Sequence, residues 1–174
     1  VEDKMKYLVG DIGNTLTKIC LINKNSKIIR EYSIETKKLL VETNLKKFFI
    51  PLLKKKLKKR ILFSSVVPNI YKKINKFLFS KNFQSFEIKN LPLKKIIKIN
   101  VNNYKQVGSD RIANSISAYN LYKTDCLIVD FGTATTFDIV KNPGIYEGGI
   151  IAPGIKLSIL NLNYRVYKFL ATVN

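Results

Sequence analysis

Three short apolar runs open the chain, Tyr7 to Asp11, Thr15 to Asn23 and Lys27 to Glu35, separated by a few turn residues each. Connections this short join antiparallel neighbours, so the pattern predicts a three-stranded meander. From Lys37 to Arg60 the residues Leu39, Leu40, Leu45, Phe48, Phe49, Leu52, Leu53 and Leu57 recur at three- and four-residue steps. That spacing predicts a helix, which Pro51 should kink or divide. Arg60 to Val67 reads as a buried strand ending at Pro68, Asn69 to Phe79 as an amphipathic helix, and Phe83 to Lys89 as another strand. Small and apolar residues at Ile112, Ala113, Ile116, Ala118, Tyr119 and Tyr122 suit a helix opening just after Gly108. Cys126 to Val140 again predicts strand, turn, strand. Residues 1–4, which begin with Val1, precede this pattern and are expected to add nothing to it.

The last segment echoes the first. LVGDIGNTLTKICLI, Leu8 to Ile22, is matched by LIVDFGTATTFDIVK, with Asp-x-Gly between two strands and threonines after it. Two copies of one unusual element predict two related lobes. The first would span residues 5–123 and carry the first turn and a helix leading to its partner; the second would span 124–174. Far less chain follows the second turn than the first, so the second lobe is expected to be incomplete.

Composition bounds the chemistry. With 174 residues and 46% hydrophobic, the chain can bury a sizeable core. No apolar run has the ~18–20 residues that cross a bilayer and no leader pattern opens the chain, so the expected compartment is the cytoplasm, with no membrane partner. Cys20 and Cys126 sit in apolar runs and are expected to be small buried hydrophobes. There is no histidine, which excludes a cysteine–histidine zinc site and leaves proton transfer near neutral pH to carboxylate, lysine, tyrosine or cysteine. The net charge of +19 would suit a polyanion, but only Arg30, Arg60, Arg111 and Arg165 are arginines. The lysines are spread along the whole chain, as on solvated faces, and a nucleic-acid partner is disfavoured.

A tight turn between Leu8 and Ile22 would need only Gly13 and Asn14, which tolerate positive φ. The Asp11 carboxylate and the Thr15 hydroxyl are extra. Glycine lets a ligand approach the backbone, successive N–H groups and Thr or Asn side chains donate to phosphate oxygens, and an aspartate can hold magnesium. Two such turns would grip a polyphosphate from both sides. Neither GxxxxGK[ST] nor GxGxxG occurs, so phosphate binding here would be of the hairpin kind. Taken singly, Asp11 could equally make an Asx turn, and Asp110 could cap a helix beside a surface Arg111.

DIGNTLTK (Asp11 to Lys18), VGSDR (Val107 to Arg111), DFGTATTFD (Asp130 to Asp138) and GGIIAPG (Gly148 to Gly154), in that order, resemble the type III pantothenate kinases. The resemblance implies an α/β fold of actin-like (ribonuclease H-like) duplicated ATPase lobes, the second incomplete. It implies ATP-dependent phosphorylation of pantothenate to 4′-phosphopantothenate, the first step of coenzyme A synthesis, by a homodimer whose interface lies near Tyr119 and Tyr122. It further implies that Asp11, Ile12, Gly13, Asn14, Thr15, Leu16, Thr17 and Lys18 form the first ATP-phosphate segment, with Asp11 organising Mg2+. Asp130 would hold a monovalent cation, K+ or NH4+, and Thr133 would contact ATP. Thr135 and Thr136 read equally as strand packing. Gly108, Ser109, Asp110 and Arg111 would bind pantothenate, with Asp110 as general base.

Family members continue beyond GGIIAPG, so the chain is expected to be a fragment or a truncated product. Many relatives carry a tyrosine nine residues before the catalytic aspartate, where this chain has Val101 and places Tyr104 three positions off. Gly148, Gly149, Pro153 and Gly154 read as a strand-to-helix turn suited to packing near a nucleotide. The alternative function is an inactive or regulatory actin-like nucleotide-binding protein of the accessory transcription factor type. Its mark would be clustered arginines with interleaved aromatics; a further alternative, a nucleotide-driven conformational ATPase, would share the two turns but not require the GSDR segment.

Overall fold

A computed structural model describes residues 5–54 and 56–162. The expectations for residues 1–4 and for 163–174 lie outside these. Two compact units divide the chain, residues 1–93 with 108–113 and residues 94–107 with 114–174.

The first unit is built on a five-stranded mixed sheet of order β3-β2-β1-β4-β5. Strands β1 (Lys6–Ile12), β2 (Leu16–Ile22) and β3 (Ile28–Glu35) form the expected antiparallel meander. Strand β4 (Leu57–Ser65) lies parallel to β1, and β5 (Gln84–Glu87) lies parallel to β4. Helices α1 (Glu42–Leu53) and α2 (Pro68–Phe79) are the crossovers that parallel pairing requires. Their apolar stripes, Leu45, Phe49 and Leu52 on one and Ile70, Ile74, Phe77 and Leu78 on the other, join Leu8, Ile12, Ile19, Ile61 and Phe63 in one buried cluster.

The helix expected over Lys37 to Arg60 is only its middle part. Thr36–Leu40 is a separate 3-10 turn, and Val41 is extended at φ −87°, ψ 123° before α1 begins. Pro51 does not divide α1, which continues through it to Leu53. Leu57 packs against the core as the first residue of β4 instead of extending the helix. Strand β5 is likewise shorter than expected. The Glu87 carboxylate accepts from Lys89 N at 2.8 Å and turns the chain into a 3-10 segment, Ile88–Asn90.

In the second unit a four-stranded sheet has the order β6-β9-β8-β7. Strands β7 (Cys126–Phe131), β8 (Ala134–Lys141) and β9 (Ile145–Pro153) are antiparallel neighbours, and the two-residue β6 (Lys98–Ile99) pairs parallel with β9. Its interior includes Asp138, which accepts a 2.6 Å hydrogen bond from Tyr146 Oη with both residues buried. Helix α3 (Ser109–Tyr122) starts in the first unit and ends in the second.

Two further expectations are corrected. Gly148 and Gly149 lie within β9, not in a turn. Gly148 has φ +96° beside the register shift between Ile139 and Val140, a left-handed conformation that favours glycine. Pro153 ends β9 and Gly154 alone links it to the helical residues 155–162. The cysteines are free and half-buried, not fully buried. Cys20 Sγ lies 4.0 Å from Glu31 Oε2, and burial first, then the Glu31 charge, pushes its thiol pKa up, which keeps it protonated.

Candidate functional site

The first turn is fixed by its backbone. Asp11 pairs with Lys18 and Ile12 with Thr17 across β1 and β2, leaving Gly13 to Leu16 as the loop, and Gly13 N donates to Leu16 O at 3.0 Å. Alternation buries Ile12 and Thr17 completely and leaves Asp11, Asn14, Thr15, Leu16 and Lys18 exposed. Asp11 thus stands on the open side of a turn whose buried side is fully packed. Gly10, just before it, is held against the core. A Cβ there would come within 2.4 Å of the Phe63 ring. On β4 the register neighbour of Asp11 is Ser64, whose Oγ is buried with no hydrogen-bond partner among the described residues.

The segment at the start of α3 reaches this same end of the first sheet. Val66, just past β4, donates its N–H to Ile12 O at 3.1 Å, and its Cγ1 lies 3.6 Å from where a Gly108 Cβ would stand. A Cβ on Gly108 would also fall 2.3 Å from Asp110 Oδ1, so any side chain there would displace that carboxylate. Ile112 N donates to Gly108 O at 3.2 Å and so opens the helix, and Asp110 Oδ1 accepts from Arg111 N at 2.8 Å. Ser109 is 1% exposed, and its Oγ is another buried hydroxyl without a partner among the described residues. The first unit therefore brings Asp11 to Lys18 and Gly108 to Arg111 to one edge.

The second turn repeats the first with one residue fewer. Asp130 pairs with Thr136 and Phe131 with Thr135, leaving Gly132 to Ala134 as the loop, closed by Gly132 N to Ala134 O at 3.0 Å. Thr133 is exposed, whereas Thr135 is buried and Thr136 partly so, as strand packing demands. Asp130 Oδ2 accepts from Asn114 Nδ2 at 2.9 Å, so one oxygen is held and the carboxylate is aimed. Gly154 packs on this turn. A Cβ there would lie 2.4 Å from Thr133 O and 2.6 Å from Gly132 O, both backbone atoms that cannot swing aside. Gly154→Ala is expected to lower the melting temperature and to weaken any ligand held by the second turn, measured by thermal unfolding beside nucleotide titration.

Sequence reasoning missed Thr36 and Asn114. Thr36 binds the first turn from behind through its hydroxyl and its N–H, and Asn114 orients Asp130. Val101 has its Cγ1 3.2 Å from where a Gly148 Cβ would stand, so it lies against the positive-φ kink of β9.

The donor set suits phosphate and magnesium. Among the described residues no three metal-ligating side chains cluster, but magnesium uses one or two carboxylates and completes its shell with phosphate oxygens and water. Asp11 on an open turn, with buried hydroxyls nearby, meets that requirement. In the described residues no helix is long and apolar enough to cross a membrane.

A mixed sheet carrying an Asp-x-Gly hairpin, followed by a second sheet with the same hairpin, defines the α/β, actin-like (ribonuclease H-like) class. The fold resembles that of the ethanolamine utilization protein EutJ from Carboxydothermus hydrogenoformans, with a TM-score of 0.52 at 13% identity over 92% of this chain and 57% of that one. Within this class the chain belongs to the type III pantothenate kinase family, whose family model matches residues 7–171. The type III pantothenate kinase of Pelagibacter ubique is 50% identical over 156 residues, covering 87% of this chain and 60% of that protein. That of Desulforapulum autotrophicum is 38% identical over 171 residues, covering 92% and 63%. The chain thus spans about 60% of the length of these relatives.

Proposed function

We propose that the full-length protein transfers the γ-phosphoryl group of ATP to the primary hydroxyl of pantothenate, giving 4′-phosphopantothenate for coenzyme A synthesis. The observation that carries this reading is the Asp110 carboxylate in a GSDR segment beside the Asp11 turn within one compact unit. In this chemistry the hydroxyl oxygen bonds to the γ-phosphorus as the bond to the β-phosphate bridge breaks, and ADP leaves. Asp110 accepts the hydroxyl proton. Asn14, Thr15, Lys18 and the turn's backbone amides donate to phosphate oxygens, while Ile12, Leu16 and Thr17 shape the turn. Asp11 holds Mg2+, which when bound offsets phosphate charge. Gly108, Ser109 and Arg111 bind pantothenate.

Asp130, steadied by Asn114, is the proposed ligand for K+ or NH4+, and Thr133 a contact to ATP. We further propose a two-lobed duplication with lobes 5–123 and 124–174, a cytoplasmic location and a homodimer. Tyr122, 69% exposed at the end of α3, fits an interface, whereas Tyr119 donates to Asn142 Oδ1 at 3.3 Å and packs within its own unit. A nucleic-acid role is disfavoured because arginines are few and the lysines are spread along the whole chain. The test is ADP release by the full-length protein with and without pantothenate. Pantothenate-dependent release is expected. Nucleotide binding without it would favour the regulatory reading.

A further inference from the structure

Thr36 makes three hydrogen bonds, two of them to the first turn. Its Oγ1 donates to Gly13 O at 2.7 Å, and its N–H donates to Thr15 O at 2.9 Å. Thr17 Oγ1 lies 3.1 Å away. A hydroxyl has one proton, and that of Thr36 goes to Gly13, so Thr17 is the donor in this pair. Thr36 is 2% exposed and Thr17 fully buried, so water does not replace these bonds. The sequence gives Thr36 no motif, and it is the first residue of a 3-10 turn.

The consequence lies on the other side of two peptide planes. In a trans peptide the C=O and the following N–H point in opposite directions. With the carbonyls of Gly13 and Thr15 both drawn toward Thr36, the N–H groups of Asn14 and Leu16 point away from it. Asn14 is an exposed residue of the loop, so its N–H lies in the exposed part of the turn, whereas Leu16 begins β2 with its C=O turned to Gly13 N across the hairpin. Without the Thr36 hydroxyl the Gly13–Asn14 plane loses the side-chain hydrogen bond that holds its carbonyl among the described residues, and its rotation would present a carbonyl where a phosphate needs a donor.

We infer that Thr36 is the positioning residue of the first turn: it locks the Gly13–Asn14 peptide so that the Asn14 amide meets a phosphate oxygen of a nucleoside triphosphate. This rests on the reading of that turn as a phosphate site. It does not depend on the identity of the acceptor.

The test is calorimetric titration of the full-length protein with Mg-ATP, without pantothenate, beside a thermal melt. Thr36→Val keeps the branched shape and removes the hydroxyl, and is expected to weaken Mg-ATP binding about tenfold or more by freeing the part-buried Gly13 carbonyl. Thr36→Ser, which keeps the hydroxyl, is expected to stay within about twofold of wild type. Ile74→Val, a truncation in the α2 core, controls for stability and is expected to lower the melting temperature with affinity unchanged. Wild-type affinity in Thr36→Val would overturn the inference. So would an equal loss in Ile74→Val, or a tenfold loss in Thr36→Ser, an arm that decides the matter even where Thr36→Val does not fold. A loss confined to Thr36→Val supports the clamp even in a protein that leaves pantothenate unphosphorylated, and this separates it from the function proposed above.

Discussion

Asp11→Asn in the full-length enzyme is expected to reduce magnesium-dependent ATP turnover to background while the protein still melts cooperatively. The turn is closed by Gly13 N to Leu16 O and tied down by Thr36, and asparagine serves turns as well as aspartate does. What asparagine lacks is the negative charge. Magnesium sheds its water reluctantly and is held through one or two carboxylates together with phosphates, so a neutral amide on this exposed position removes the anchor without disturbing the fold. Activity titrated against magnesium in both proteins provides the measurement. Turnover near the wild-type level at saturating magnesium would remove Asp11 from that role.

The meander and helices α2 and α3 were legible because each keeps a single period over its whole length. Helix α1 was not. A 3.6-residue spacing continues across Leu39, Leu40 and Leu57, but Val41 is extended and Leu57 starts a parallel strand, and apolar spacing alone does not register a change of backbone. The glycine pair at 148 and 149 misled in the opposite way. It reads as a turn, whereas the positive φ of Gly148 serves a kink inside β9.

A similar divide runs through the candidate site. Asp11 stood out as a carboxylate that its turn does not need and Asp130 as its echo, whereas Asp110 reads alone as a helix cap and stood out through the motifs around it. Thr36 and Asn114 did not, because their roles arise from contacts 23 and 16 residues away along the chain. Nothing local marks a threonine that follows a strand as the clamp of a distant loop. The echo between the two hairpins was readable as a pattern of letters, but its one-residue difference in loop length appeared only with the strand register.

Asp110→Asn separates catalysis from folding most directly. In the first turn of α3, Asp110 Oδ1 accepts from Arg111 N at 2.8 Å, and an asparagine Oδ1 can accept the same bond. Helix and acceptor segment should therefore stand. The capacity to take a proton is lost, and kcat for pantothenate phosphorylation in the full-length enzyme is expected to fall by about 10²-fold or more, the scale for a positioned general base. Mg-ATP affinity should not change, since the phosphate donors assigned to the first turn lie on β1, β2 and their loop rather than on α3. Steady-state phosphorylation measured beside nucleotide titration distinguishes the cases. An unchanged kcat would reduce Asp110 to a helix-end residue, whereas a joint loss of kcat and nucleotide affinity would mean that α3 supports the phosphate turn and not the acceptor alone.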